Sequence, residues 1–458
     1  MKLINEIQFV RINDNEIVML NLINAAADIL DNDTYEKLTN DIDSLDESII
    51  KKLKERKYVF NSENEYNEYL SKLNTAIDIA QKNSPPCFLV VPTYNCNLRC
   101  TYCYERTYRI ENIKENNMIQ IIDRQFEVID DVVNKYRKTN IKDFDSNCIR
   151  ITIMGGEPLL RVNKKIIEYI FKKVKERKYT IDIVTNGVDL DYFIDILTDD
   201  CVDHIQITLD GSKNIHDKRR IFADGRGSFT KIINNIGLAL KNNIKIYLRV
   251  NVDNDNLNDL PELAKILVQR FNNDENLNPY IYLLQDGGCS GDANVVKEEV
   301  GIDKVYKLEH EYPQMKIFRK KFHPEMYINS ILQNTEFQPV LRHCGAAINQ
   351  YILDYKGNIY RCWHGIGNDG YRTGRYIPTI EEDKDKNEKW DKRSVLNLKK
   401  CKNCKYRYIC GTGCPAATHK GEKEFDIEKE SCVDYEGLID TIIKEKIKWG
   451  DCNWMIKK

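Results

Sequence analysis

Apolar positions repeat along this chain with two different periods, and the change from one to the other divides it. Over the first 85 residues, Ile7 to Ile12 and Ile17 to Leu22 predict two strands joined by the turn-rich Asn13-Asp14-Asn15. Asp31-Asn32-Asp33-Thr34 then offers helix caps, two short helical patterns follow near residues 34–40 and 46–55, and Lys57 to Phe60 reads as a third strand. Ser62-Glu63-Asn64-Glu65 opens a longer polar helix that runs to about Gln81, and Ser84-Pro85-Pro86 breaks it, because the residue before a proline is pushed out of the helical region. We read residues 1–85 as a separate small α+β unit.

Past the prolines, apolar runs alternate with helical stripes. The runs are Cys87 to Val91, Ile149 to Ile153, Tyr179 to Val184, His204 to Leu209, Ile244 to Val250 and Tyr280 to Leu284. Between them, sets such as Met118, Ile122, Phe126, Ile129 and Val133, or Ile166, Ile170 and Val174, recur at three- and four-residue intervals. Strands alternating with helices imply an α/β domain with a parallel sheet and right-handed crossovers, open or curled into part of a barrel, over residues 86–285. Residues 286–337 look loose and mixed in charge and read as a bridge, and residues 338–458 form a third unit. Within it, Tyr355 to Asn358 reads as the turn of a hairpin and Glu381 to Arg393 as a solvated loop.

Charge and hydropathy narrow the class. Lys plus Arg number 69 against 71 Asp plus Glu in 458 residues, a net charge of -2 that offers no footprint for nucleic acid. Met1-Lys2-Leu3-Ile4-Asn5-Glu6 lacks the apolar segment of a signal peptide, and no run approaches about 18 uncharged apolar residues, so we expect a cytoplasmic protein with no membrane partner. Of the 15 cysteines, ten fall into two sets; Cys87, Cys148, Cys201, Cys289 and Cys452 are scattered and read as small buried apolar residues.

The first set is Cys96-Asn97-Leu98-Arg99-Cys100-Thr101-Tyr102-Cys103, spaced Cys-x3-Cys-x2-Cys directly after the first strand. Three thiolates on one loop can hold three irons of a four-iron four-sulfur cluster and leave the fourth open for chemistry. A zinc knuckle is the alternative, disfavoured because zinc sites usually pair their cysteines as Cys-x2-4-Cys. After the second strand stands Gly155-Gly156-Glu157-Pro158, whose glycines let the backbone approach a ligand and whose carboxylate can accept from an ammonium group. The second set comprises Cys344, Cys362, Cys401, Cys404, Cys410, Cys414 and Cys432. Seven thiols exceed one cluster, and two zinc ions would need an eighth ligand such as His343 or His364.

The first loop, with Tyr102 before its third cysteine, resembles the signature of the radical S-adenosylmethionine enzymes. That resemblance implies a partial (β/α)6 TIM-like barrel and an open iron that chelates the amino and carboxylate groups of S-adenosylmethionine, with Tyr102 beside the adenine. Gly155, Gly156, Glu157 and Pro158 match the motif that binds the methionine amino group, and Thr185-Asn186-Gly187 and Thr208-Leu209-Asp210-Gly211 resemble the strand ends around the ribose and carboxylate. His216 to Arg220 and Gly225 to Phe229 resemble a segment shared by the peptide-modifying members, with Arg220 and Arg249 as carboxylate or substrate contacts or, equally, surface salt bridges.

The order of the seven later cysteines is similar to the SPASM extension, which implies an outer auxiliary cluster on Cys401, Cys404, Cys410 and Cys432 and an inner one on Cys344, Cys362 and Cys414, making three 4Fe-4S clusters in all. Some relatives carry a further cysteine where Gln350 stands, so a fourth inner ligand would have to be Cys289 or a substrate thiolate. The β-β-α-α-β order of the first unit is compatible with a winged helix and resembles the peptide-recognition domain ahead of many such enzymes. The resemblance implies a maturase that oxidatively modifies a ribosomally made precursor peptide, with a thioether crosslink as the expected product and flavodoxin or ferredoxin as electron donor. A sulfatase-maturating, formylglycine-forming enzyme is the alternative; that family has an aspartate after the Gly-x4-Cys cysteine, where this chain has Trp363. A non-catalytic metal-cluster scaffold that binds peptides would leave Gly155 to Pro158 unexplained.

Overall fold

The computed structural model describes residues 1–103, 105, 115–139, 145, 148–272, 274–284, 294–418 and 425–450. Sixteen strands are defined among them: β1 (Lys2–Leu3), β2 (Ile7–Arg11), β3 (Glu16–Asn21), β4 (Ala27–Asp31), β5 (Val59–Phe60), β6 (Cys87–Val91), β7 (Arg150–Ile153), β8 (Thr180–Thr185), β9 (Val202–Thr208), β10 (Ile246–Val252), β11 (Leu277–Leu283), β12 (Arg319–Lys320), β13 (Gln350–Asp354), β14 (Asn358–Tyr360), β15 (Arg372–Arg375) and β16 (Glu381–Glu382).

β6 to β16 form one eleven-stranded sheet, in the order β12-β11-β10-β9-β8-β7-β6-β13-β14-β15-β16. The six expected barrel strands are all present and pair in parallel, each with its sequence neighbour, from β6 to β11. Phe88 to Val91, Ile151, Ile153, Ile181, Ile183, Ile205 and Ile207 are buried, as strands covered by crossover helices require. The helix Glu115–Thr139 turns Met118, Ile122, Phe126, Ile129 and Val133 into that core, and Lys164–Arg177 does the same with Ile166, Ile170 and Val174. This is the mixed α/β, partial-barrel architecture expected.

The sheet does not stop at the barrel. β13 pairs in parallel with β6 on the side opposite β7, in register from Gln350 with Cys87 to Asp354 with Val91. The hairpin read at Tyr355 to Asn358 is the β13–β14 turn, with Gly357 at φ 87°. The described part of the segment read as a bridge, residues 294–337, holds the helices Glu298–Glu311 and Glu325–Gln333 and adds β12 as a parallel edge strand beside β11. The expected solvated loop Glu381 to Arg393 is instead β16 and the helix Lys384–Lys392, capped by Asp383 and anchored by Trp390, only 1% exposed. One inward aromatic among charges gives no periodic signal, which is why the pattern concealed it.

In the first unit, β2, β3 and β4 make an antiparallel meander and β1 pairs with β5, so β1 and β4 were missed. The turn before β4 places Ala25 in the left-handed region at φ 59°, with no glycine to announce it. Asp31 and Ser62 cap the helices Asn32–Asn40 and Glu63–Lys82 as expected. The unit does not keep its core to itself. Ile4, Met19, Tyr58 and Tyr66 pack in one cluster with Leu341, Val395, Leu398, Cys401 and Tyr408 of the third unit. Across that seam Arg407 is paired with buried Glu6 at 2.7 Å, and Gln81 Oε1 accepts from the amides of Leu341 and Arg342 at 3.1 and 3.2 Å.

Replacing Glu6 by alanine leaves the Arg407 guanidinium without its counter-charge and the Tyr66 hydroxyl without its acceptor. Loss of one partner of a buried pair costs about 3–5 kcal/mol, so the urea midpoint of Glu6→Ala is expected to fall clearly, whereas Lys2→Ala, which loses an exposed pair, should change it by less than about 1 kcal/mol.

Candidate active site

The cysteine loop leaves the end of β6 and is gripped on two sides. On one, Gly156 N donates to Thr93 O at 3.1 Å and Glu157 N donates to Asn95 O at 2.8 Å. A Cβ on Gly156 would lie 2.3 Å from the Tyr94 carbonyl oxygen, and Gly155, at φ +126°, has the Thr93 carbonyl 2.4 Å from where its Cβ would be. What the two glycines approach in this chain is therefore the backbone of the cysteine loop itself. On the other side, Arg99 N donates to Ile221 O at 2.7 Å, Thr101 N to Arg219 O at 3.0 Å and Ala223 N to Asn97 O at 3.2 Å. Within the loop, Leu98 N points at Cys96 Sγ (3.4 Å) and Cys103 N donates to Cys100 O (3.3 Å).

Glu157 is fully buried. Its carboxylate accepts from Thr185 Oγ1 and Asn186 N, both at 2.6 Å, and from Leu159 N at 2.8 Å. Burial pushes the carboxyl up to about 7 against the pull of those three bonds. Asn186 turns its amide to Asn97 Oδ1 (2.7 Å) and Cys96 Sγ (3.8 Å), so the third strand end buttresses the first cysteine. Pro158 is buried and its carbonyl accepts from Asn163 Nδ2 at 3.1 Å, closing the turn.

Tyr102 enters a second network. Its hydroxyl donates to Asp210 and accepts from Arg220 Nη1 at 2.8 Å and Asn251 Nδ2 at 3.2 Å, with the Arg219 guanidinium 5.1 Å from the ring centroid. Burial opposes the charge on Arg220, but Cys100, Tyr102 and Asp210 outweigh it and hold the guanidinium well above its ordinary pKa. Arg220 thus faces the cysteine loop and makes no surface pair, while Arg249 lies 4.1 Å from the Tyr282 ring centroid and donates to Asn251 Oδ1 at 2.7 Å. Thr208 is buried at the end of β9.

Asp210, read from the sequence within Thr208-Leu209-Asp210-Gly211, also accepts from Asn251 N, whereas the pair Arg219–Asp253 at 2.8 Å was given no role. Asp210 and Asp253 stand just past the carboxyl ends of β9 and β10, and Arg219 closes the helix Lys213–Arg219. His216, from the segment matched to peptide-modifying enzymes, is a buried clamp. It is held neutral by burial and the neighbouring arginines, accepts from Asp210 N at 3.2 Å and meets Ser228 Oγ at 2.9 Å.

The seven later cysteines gather into two groups. Cys362 is buried with Cys344 and Cys414 as its nearest charged influences, and Cys401 feels Cys410, Cys404 and Cys432. Burial raises the thiols of Cys344, Cys362 and Cys414 in one group and of Cys401 and Cys410 in the other, most strongly that of Cys362. Of the scattered cysteines, Cys87 and Cys201 are half-buried but Cys148 is exposed, against expectation, and Cys289 and Cys452 lie outside the described residues. Gln350 commits its amide to Arg361 O at 2.7 Å, inside the hairpin.

Residues 90–267 match the Radical SAM superfamily. They form a radical SAM domain. The chain is 23% identical over 336 residues to the cysteine-type anaerobic sulfatase-maturating enzyme of Clostridium novyi, covering 70% of this chain and 85% of that one. In structure it is similar to native anSMEcpe with bound AdoMet and Cp18Cys peptide, at TM-score 0.55 and 17% identity over 81% of this chain and 99% of that one. It is also similar to Streptococcus suis SuiB bound to S-adenosylmethionine, at TM-score 0.51 and 17% identity over 93% and 98% of the two chains. Among the described residues no helix is long and apolar enough to cross a membrane.

The raised Glu157 gives the radical SAM domain a pH signature. A carboxyl whose pKa is higher folded than unfolded contributes most below its unfolded value near 4.5, and that contribution is lost as pH rises through about 7. Glu157→Gln cannot ionise, so its urea stability in the metal-free protein should rise relative to wild type between pH 4.5 and 8, by up to about 3 kcal/mol. A pH-independent difference would show that Glu157 titrates normally.

Proposed function

We propose that this protein is a radical SAM peptide maturase that forms a thioether crosslink in a ribosomally made precursor peptide. The observation that carries the reading is the arrangement of ten cysteines, three on one loop at the strand ends and seven in the third unit, of which Cys344 and Cys362 flank the β13–β14 hairpin and Cys401 to Cys414 follow the helix Lys384–Lys392. The donor sets fit the groups assigned to them: Cys96, Cys100 and Cys103 for the radical cluster, Cys401, Cys404, Cys410 and Cys432 for the outer auxiliary cluster, and Cys344, Cys362 and Cys414 for the inner one. When bound, the reduced cluster and S-adenosylmethionine supply a 5′-deoxyadenosyl radical able to take hydrogen from an unactivated carbon.

The chain's own residues bind and orient. Tyr102, fixed by Asp210, Arg220 and Asn251, offers its ring to the adenine, and Arg220 offers a cation beside the loop for the methionine carboxylate. Glu157, Thr185 and Asn186 are one hydrogen-bonded unit; Glu157 takes the amino group, and Thr185 with Thr208 borders the ribose. Burial at the strand ends excludes water from the reacting centre. The inner group has three cysteines, and its remaining position is assigned to the substrate thiolate, activated by coordination. Residues 1–85 are assigned to peptide recognition, although their shared core with the third unit means that they also stabilise it. The protein works in the cytoplasm, with flavodoxin or ferredoxin as electron donor.

A formylglycine-forming activity is the second reading, favoured by the Clostridium novyi relative and by the peptide-bound anSMEcpe. One observation weighs against it: Trp363 stands where that reading needs an aspartate, is 42% exposed and cannot take a proton.

Anaerobically reconstituted protein is expected to hold about twelve irons with equal sulfide. Cys96/Cys100/Cys103→Ala should lose about a third of that iron and all 5′-deoxyadenosine formation under dithionite; stoichiometric zinc in place of iron would overturn the assignment. With a cysteine-containing precursor peptide, mass spectrometry should show loss of two hydrogens with the thiol no longer alkylatable. A carbonyl at a cysteine-derived aldehyde would instead establish the second reading.

A further inference from the structure

Arg393 follows the helix Lys384–Lys392 and is only 2% exposed. Its guanidinium donates to four carbonyls: Nη1 to Ile427 and to Lys429 (2.7 Å), Nη2 to Thr412 (3.4 Å) and Gly413 (3.1 Å). Its Nε is buried and has no hydrogen-bond partner. Among the described residues no carboxylate pairs with it. The acidic side chains on neighbouring segments are engaged elsewhere: Asp391 with Arg361 at 2.9 Å, Glu428 with Lys389 at 2.9 Å and Glu430 with Lys400 at 2.9 Å. Carbonyl dipoles orient a guanidinium but do not neutralise it, and a buried cation without a counter-charge is strongly unfavourable.

Two of the carbonyls it reaches, those of Thr412 and Gly413, lie on the strap between Cys410 of one cysteine set and Cys414 of the other. Burial lowers the guanidinium's pKa, and the influences that oppose this are Cys344 and Cys414 of one set and Cys401 and Cys410 of the other. The backbone explains how one residue reaches both. Cys410 and Cys414 belong to different sets, and the strap between them runs through Gly411, Thr412 and Gly413 at φ 63°, 98° and 69°, three consecutive left-handed residues. Thr412 is not a glycine and has its side chain buried, so the strained conformation is held by its surroundings. That turn aims the Thr412 and Gly413 carbonyls at Arg393, and Ile427 and Lys429 bring in the segment that leads to Cys432.

We propose that Arg393 is the shared counter-charge of the two auxiliary clusters, a positioning residue that sets both of their reduction potentials. The proposal rests on the reading of two auxiliary clusters. Thiolate-bound clusters are negative, and adding an electron makes them more so; a fixed cation between them favours the reduced form of each. The free Nε–H supplies a further donor to cluster or cysteine sulfur, the second feature that raises such potentials.

The test uses the full chain carrying Cys96/Cys100/Cys103→Ala, reconstituted anaerobically, so that iron content and electron paramagnetic resonance report the auxiliary sites alone. Arg393→Gln is expected to retain about eight irons. Redox titration should show both midpoint potentials lowered, each by at least tenfold in the reduction equilibrium, about 59 mV for one electron. Arg393→Lys, which keeps the charge, should stay within threefold of the parent. Full iron with unmoved potentials in Arg393→Gln overturns the proposal while leaving the clusters standing. A parent protein that takes up no iron overturns the two-cluster reading and the proposal with it. Should Arg393→Gln fail to load, Arg393→Lys decides: loading restored by charge alone supports the counter-charge, and equal failure overturns it in favour of a purely hydrogen-bonding role.

Discussion

The pairing of β13 with β6 is the constraint on which the rest of this molecule depends. β6 leads directly into the Cys96–Cys103 loop, and β13 lies between Cys344 and Cys362, so a single parallel register fixes the cysteine loop relative to the hairpin that these two cysteines flank. A hydrogen bond of 2.8 Å from the Tyr94 hydroxyl to fully buried Asp354 ties the two strand ends together just before the loop begins. Asp354 in turn accepts from Asn358 N at 2.8 Å and Lys356 N at 3.0 Å, so the same carboxylate that receives Tyr94 also shapes the β13–β14 turn. Burial raises Asp354 despite those bonds, the mark of a polar group enclosed to hold geometry. A shift of one residue in this register would turn every β13 side chain to the other face and carry the hairpin away from the loop.

With that frame set, the carboxyl ends of β6 to β10 need few further devices. Each polar group there serves two neighbours: Asn186 supports Asn97 and Cys96, Asp210 holds Tyr102 and Asn251, and His216 links Asp210 to Ser228. Such sharing makes the loop rigid before any cofactor arrives, which is what orientation of a short-lived radical demands. It also accounts for the close fit of Gly156, since any side chain there would lift the strand-end turn off the loop.

How much of this the sequence revealed depends on whether a signal was local. The barrel strands were legible because apolar runs such as Cys87 to Val91 and Tyr179 to Val184 are bounded by turns and alternate with 3.6-residue stripes, and every one of them is found within a few residues of its expected place. The cysteine spacing was legible for the same reason. The β6–β13 pairing was not, because it joins residues more than 250 apart and nothing in either strand names its partner. Helices with charged faces, such as Lys384–Lys392, were read as loops because Trp390 alone turns inward. Arg219 and Arg393 were given no role for a related reason: a charged residue reads as surface until its burial is known.

The buried charges and the buried thiols explain one another. Burial raises the thiols of Cys344, Cys362 and Cys414, and Arg393 donates to the carbonyl of Gly413 beside the last of them. On the proposed reading, metal binding at these cysteines removes their protons and supplies the negative charge that the guanidinium lacks. Among the described residues Arg393 is enclosed by backbone carbonyls with no carboxylate partner. Arg220 at the strand ends is the opposite case, buried but held charged by Cys100, Tyr102 and Asp210. On that reading Arg393 links folding of the third unit to cluster loading, because its charge is compensated when the cysteines bind metal as thiolates.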